Sequence, residues 1–244
     1  PTLTKLRLHG CPLGHDDVRQ LVMVVRNTPS LHTLVLRDIP LRSAGLAELA
    51  SALHLNTSIK VLDISSTNLY DMESAELLRD IIRCNKTITT LDLSGNTFGR
   101  TTGAVDCIAE GLGSNSTLLK IGLSRCDLGD DDVSILAQTL GSGTTTIQKL
   151  ALRENAITST GLGVLVETME QNRQRITDLD LSHNPIGDRG ASLLARFLGH
   201  NTLPNLTRLS LSQCCGIGDD GYIAVVSALG QNTSLLYLDV RYAD

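Results

Sequence analysis

Nine short stretches share one spacing of apolar residues, and that recurrence limits the possible folds more than any other feature. The clearest copy is Ile176–Ile186, ITDLDLSHNPI, in which Ile176, Leu179, Leu181, Asn184 and Ile186 mark the pattern L-x-x-L-x-L-x-x-N-x-L. The other copies open at Leu3, Leu31, Ile59, Ile88, Leu118, Ile147, Leu206 and Leu235, so successive copies lie 28–30 residues apart. Within each copy the apolar positions alternate with polar ones, as in Leu179 and Leu181 against Asp178, Asp180 and Ser182. A period of two is that of a strand with one buried and one wet face.

Between strands lie segments with helical periodicity, for example Ala191, Leu194, Ala195 and Leu198. Asp and Ser gather where these helices should start, at Asp16, Ser43, Asp71, Asp130, Ser159, Asp188 and Asp219, and their oxygens can cap free helical N–H groups. At the far ends Asn27, Asn56, Asn85, Asn115, Asn172, Asn201 and Asn232 recur, with Gly141 and Gly143 in the fifth repeat. Asn tolerates the left-handed conformation, so these residues read as helix stop signals. A strand and a helix in every repeat give a parallel sheet backed by helices, and because helices are wider than strands the stack must curve with the sheet inside.

These residues resemble the leucine-rich repeat family, in the long-repeat subclass typified by ribonuclease inhibitor. The resemblance runs the whole length of the chain. It implies an α/β solenoid, a right-handed β-α horseshoe with a parallel sheet on the concave face and helices on the convex face. Residues 1–244 are then one domain of eight repeats and a truncated ninth. Leu3, Leu6 and Leu8 at one end and Leu235, Leu238 and Val240 at the other are apolar strand residues without a polar capping repeat. They suggest a segment of a longer protein whose flanking domains, or neighbouring subunits, cover the ends.

Composition narrows the function classes. A net charge of −5 disfavours nucleic acid and anionic membranes as partners, and no apolar run is long enough to insert in a bilayer. Aromatics make up only 2%, as suits a thin core of aliphatic side chains. The six cysteines read as reduced, buried thiols of a cytoplasmic protein, and adjacent Cys214 and Cys215 lack the nearby positive charge of a redox pair. Sequons at Asn56, Asn85, Asn115 and Asn232 coincide with the helix-end position, which accounts for them structurally, and a fifth lies at Asn205.

The ninth motif position carries Cys11, Thr67, Asn96, Cys126, Asn155, Asn184 and Cys214. There the chain leaves the strand, and a short polar side chain can satisfy backbone groups that would otherwise be buried without partners. These seven residues form a structural ladder. Ile39 and Ala243 cannot serve, so the second repeat should turn differently or be looser, while Cys214-Cys215-Gly216-Ile217 carries one extra residue that should bulge.

The alternating strand residues line the concave face. On it Lys120, Arg125, Lys149 and Arg153 form a basic patch between acidic stretches at Asp63 and Asp92 and at Asp178 and Asp180, with Arg37 in the basic opening part. Near the end stand Tyr237, Arg241 and Tyr242, of the residue types that dominate protein interfaces. These eight are the candidate partner-binding residues: Arg37, Lys120, Arg125, Lys149, Arg153, Tyr237, Arg241 and Tyr242.

No catalytic constellation emerges. Asp180, Ser182 and His183 are near neighbours that diverge, without an oxyanion hole, and the six histidines lack metal-ligand spacing. Neither a metal nor a cofactor is expected. Ser94-Gly95-Asn96-Thr97-Phe98-Gly99 resembles a loop of the Ran GTPase-activating proteins, in which the resemblance assigns a functional role to Asn96 alone; the acidic tail of that family is absent. The expectation is a non-catalytic scaffold that recognises a protein. The alternatives are a Ran-type GTPase activator and, within the binding class, the ligand-sensing repeat region of a nucleotide-binding immune receptor.

Overall fold

The structure, a computed structural model, describes residues 2–171 and 175–241, the side chain of His15 excepted. Tyr242, Ala243 and Asn172 fall outside the described residues. The strands are β1 (Lys5–His9), β2 (Thr33–Arg37), β3 (Val61–Asp63), β4 (Thr90–Asp92), β5 (Lys120–Gly122), β6 (Lys149–Ala151), β7 (Asp178–Asp180), β8 (Arg208–Ser210) and β9 (Tyr237–Asp239). They form one parallel sheet in chain order. Helices α1 (His15–Asn27), α2 (Arg42–Leu53), α3 (Met72–Cys84), α4 (Ala104–Gly113), α5 (Asp130–Gly141), α6 (Ser159–Gln171), α7 (Gly187–Gly199) and α8 (Asp219–Ala228) alternate with them. A 3-10 turn at Phe98–Arg100 precedes α4.

Register explains why one motif suffices. Leu6 pairs with Leu34, Leu34 with Leu62, and the row continues through Leu91, Ile121, Leu150, Leu179 and Leu209 to Leu238. From Leu34 to Leu209 every member of that row is buried, and Leu194 and Leu198 of α7 are closed over in the same core. Burial of each such side chain is worth about 1.5–3 kcal/mol, so the repeats are held to one another by a continuous aliphatic seam. At the two edges Leu6, Leu8, Leu235, Leu238 and Val240 are only partly buried. No helix among the described residues is long and apolar enough to cross a membrane.

At the exits of β1 to β8 one residue takes a left-handed backbone: Gly10, Asp38, Ser66, Gly95, Arg125, Glu154, His183 and Gln213, with φ between 55° and 74°. The next residue then points into the core. Asn96 Oδ1 accepts from the Thr67 and Leu69 N–H groups, each at 3.0 Å, while Nδ2 donates to the carbonyls of Ile64 (3.0 Å) and Leu93 (2.8 Å). Asn155 and Asn184 repeat the arrangement two and three repeats further on. The Cys214 thiol donates to the Leu181 carbonyl at 3.3 Å, and burial pushes the Cys126 thiol up to about 12 and that of Cys214 to about 11.

Several expectations need correction. The second repeat leaves β2 through the same left-handed turn at Asp38, with Ile39 fully buried; its departure comes later, at Arg42 (φ 54°). The extra residue of the eighth repeat does bulge, through an additional turn at Cys215 and Gly216, whose φ of 76° lets it pass close to Gly187. Asp71 caps its own helix by accepting from Ser74 N–H (2.7 Å), but Asp130 and Asp188 act across repeats. Asp130 accepts from the Thr158 N–H and hydroxyl, and Asp188 from Gly218 and Gly221 N–H, so each holds the helix start of the following repeat.

The helix-end asparagines, apart from Asn201 (φ 52°), are not left-handed among the described residues. They form a second ladder instead. Asn115 Oδ1 accepts from Thr117 and Leu118 N–H, each at 2.8 Å, and Nδ2 donates to the Ile82 carbonyl at the end of α3 (2.6 Å). Asn56, Asn85 and Asn232 do the same for α1, α2 and α7. Ser182 is also misjudged as solvent-facing: it is buried, its N–H held by Asp180 and its hydroxyl by Ser210. Asp63 and Asp92 hold Ser65 and Ser94 alike, so Asp-x-Ser is a local brace at the end of the strand. Among the cysteines, Cys84 and Cys215 are exposed rather than buried, because their positions belong to a helix end and to the extra loop residue.

Candidate functional site

Parallel strands in register bring residues from consecutive repeats side by side on the concave face, and the left-handed exits lift a further row onto its rim. Where the exits of β2 to β6 converge there is a depression of about 420 Å³, walled by Arg37, Asp92, Ser94, Arg125, Arg153 and Glu154. Four of the sequence-derived candidates lie on or beside it: Arg37, Arg125 and Arg153 in the wall, and Lys120 on the adjoining strand β5.

The charges of this depression are already paired. Arg125 grips Glu154 through two nitrogens, at 2.5 and 3.1 Å. Arg153 Nε reaches the same carboxylate at 2.9 Å, and its Nη2 lies 2.8 Å from His183 Nε2. A guanidinium can only donate, so that imidazole nitrogen accepts. Hydrogen bonds and charge from Arg125 and Arg153 pull the Glu154 carboxyl down to about 2. Arg37 donates to Ser65 Oγ (2.9 Å) and Asp63 (3.0 Å), and its Nη2 is 3.9 Å from Asp92. Lys149 lies 3.9 Å from Asp178.

The expected basic patch is therefore a neutralised lattice, and only Lys120 meets no carboxylate within ion-pair distance among the described residues. Glu154 sits one place past the alternating strand residues, on the turn, at the exit position that Arg125 holds one repeat earlier; Arg125 was the signal that could have found it. Next to it Gly122 makes room for Asp92, since a Cβ at Gly122 would run into that carboxylate.

At the other end of the arc Tyr237 and Arg241 take different partners. The Arg208 guanidinium lies over the Tyr237 ring, 4.3 Å from its centre, with Nε 3.5 Å from Asp178. Arg241 instead donates twice to Asp239 and once to Ser212, and that contact lowers the Asp239 carboxyl below the usual range. Arg208 was a further omission, and its signal was the in-register pairing with Tyr237. The third member of the trio, Tyr242, lies outside the described residues.

The letters of a hydrolase triad fall apart in space, because Ser182 pairs with Ser210 and His183 with Arg153. Asn96, the residue singled out by the GTPase-activator resemblance, is 1% exposed, and its amide is committed to four backbone groups. It does not reach the surface. Among the described residues no three His, Cys, Asp or Glu side chains converge as a metal site would require.

A family model described as Leucine Rich repeat matches residues 84–101, 175–195 and 202–226. The matched stretches are leucine-rich repeats. The chain is 33% identical over 160 residues to human NACHT, LRR and PYD domains-containing protein 12, covering 65% of itself and 15% of that protein. It is 28% identical over 187 residues to the pig ribonuclease inhibitor, covering 65% of itself and 41% of the relative. The chain thus spans a minor part of these relatives. Its fold is like that of the Caenorhabditis elegans tropomodulin C-terminal domain, with a TM-score of 0.50 at 15% identity, over 65% of this chain and 92% of that one.

Proposed function

We propose that this repeat region is a non-catalytic recognition module that holds a protein partner against its concave face. The observation that carries the reading is the depression at the strand exits. Its arginines are each fixed by a carboxylate, Arg37 and Arg153 on the alternating row and Arg125 on an exit turn, so they present a rigid mixed-charge surface to which a partner can be matched. The name of the pig ribonuclease inhibitor supports a binding rather than a catalytic role. The reading places the module in the cytoplasm, supported by six unpaired thiols.

Affinity purification with mass spectrometry, run in parallel on the wild-type chain and on Arg125→Glu, tests it. Arg125 is exposed, so the variant should fold normally while setting a second carboxylate against Glu154. Partners captured by the wild type and depleted at least tenfold by the variant support the concave site. Capture that is indifferent to Arg125→Glu and to Tyr237→Ala places binding elsewhere.

A second reading is favoured by the similarity to NACHT, LRR and PYD domains-containing proteins of human and mouse. In it the module is the ligand-sensing repeat region of a nucleotide-binding immune receptor. Sequencing the full transcript tests this: an encoded nucleotide-binding domain supports it, and its absence ends it.

A further inference from the structure

A second recess lies on the opposite edge of the sheet, where the chain enters β2 and β3 after α1 and α2. It measures about 280 Å³ and is lined by Arg26, His32, Lys60, Pro29 and Leu55 above a floor of residues 56–58. Several arginines elsewhere are matched by acids, Arg19 with Glu48, Arg79 with Glu110, Arg100 with Asp127 and Arg208 with Asp178. Here the lining holds no carboxylate. Among the described residues neither Arg26 nor Lys60 has an acidic side chain within ion-pair distance, and Arg26 donates to the Ser51 hydroxyl instead (2.8 Å).

The arrangement is built rather than accidental. His32 and Lys60 precede the in-register residues Thr33 and Val61, and the Lys60 N–H donates to the His32 carbonyl at 2.9 Å, so their side chains stand in adjacent rows. Further along the same edge the equivalent positions are Thr89 and Leu119, which confines the cationic pair to this place. The floor is fixed by Asn56, which accepts from Ser58 and Ile59 N–H and donates to the Val25 carbonyl. Beside it Leu55 is 77% exposed, the second largest exposure of any large hydrophobic side chain among the described residues.

We infer that this recess binds a short acidic segment of a protein partner, an Asp or Glu carboxylate entering between Arg26 and Lys60 while an aliphatic neighbour covers Leu55. A recess of this volume suits one or two side chains, not a helix. The two cations complement a carboxylate, and the bare leucine beside them gives an apolar contact that a free anion would leave unused. The net charge of −5 works against an anionic bilayer as the occupant. This site stands apart from the concave face, and its failure would leave the concave reading untouched.

The test is an NMR titration of the isotopically labelled chain with the acetylated, amidated peptide Asp-Glu-Leu-Asp, its uncharged counterpart Asn-Gln-Leu-Asn, and vesicles containing phosphatidylserine. Saturable shifts confined to the backbone around residues 26, 32, 55, 56 and 60 are expected for the acidic peptide alone, weakening as salt rises. Lys60→Glu should weaken binding about tenfold with an unchanged circular dichroism melt, and Lys60→Gln by less. Equal response to both peptides, shifts on the concave face, or indifference to both Lys60 variants overturns the proposal. So does a response to vesicles without one to the peptide, which would make the surface a lipid contact.

Discussion

Two sets of asparagines link neighbouring repeats, one at strand exits and one at helix ends. The first, buried Asn96 and Asn184 with half-buried Asn155, joins its repeat to the one before it through four backbone bonds per side chain. The second, Asn56, Asn85, Asn115 and Asn232, ties the end of the preceding helix to the start of its own strand. One residue type thus performs two tasks, and the task follows from what the neighbouring repeat leaves unsatisfied. A carboxamide carries both donors and acceptors, so it can serve carbonyls from one repeat and amides from another.

The comparison can be broken at graded cost. Asn184→Ala should be the most damaging, at about 3 kcal/mol, since it strands two carbonyls and two amides in the core. Chemical denaturation measures it, and a loss below that of Asn115→Ala would reverse the order of the two sets. Asn115→Ala should cost about 2 kcal/mol, as it too is buried but lies nearer the surface turn. Cys126→Ala should cost about 1 kcal/mol, because the thiol's bonds to the Leu93 and Ser124 carbonyls are long, at 3.6 and 3.4 Å; a loss equal to that of Asn184→Ala would mean thiol and amide are equivalent there. Asn201→Gly should fall within about 0.5 kcal/mol, since glycine relieves its left-handed backbone while only exposed bonds, to Gln231 and Thr233, are lost. A large loss at Asn201 would place it with the others.

A pH titration sharpens the picture at the concave face. The Glu154 carboxyl is depressed to about 2, so its pairing stabilises the fold above the ordinary glutamate range and is lost as pH falls from there toward 2. With Arg125 largely exposed, solvent screening holds the effect to about 1 kcal/mol. Glu154→Gln should flatten that part of the stability profile, and an unchanged profile would show that the pairing contributes nothing.

The repeat was legible because Leu179 and Leu181, and their counterparts in each copy, obey spacings that depend only on the local backbone. The strand-exit ladder was legible for the same reason. The roles of Asp130 and Asp188 were not, because their partners lie in the following repeat and nothing in the local sequence tells a self-cap from a neighbour-cap. Lys149, Arg125 and Arg153 read as a basic patch only while Glu154 was left out. Ser182 looked solvated because the period of two assigns a face but not the brace from Asp180 or the contact with Ser210.

The left-handed residue at the exits of β1 to β8 also bears on how such a surface can vary. Gly10, Asp38, Ser66, Gly95, Arg125, Glu154, His183 and Gln213 share that backbone, and none is β-branched. Valine, isoleucine and threonine are penalised there by sterics that have no bearing on any partner. The rim therefore draws on a restricted alphabet of glycine and unbranched polar side chains. Within that alphabet charge and length can be exchanged freely without disturbing the aliphatic seam beneath, so the surface can change its preferences while the arc stays the same.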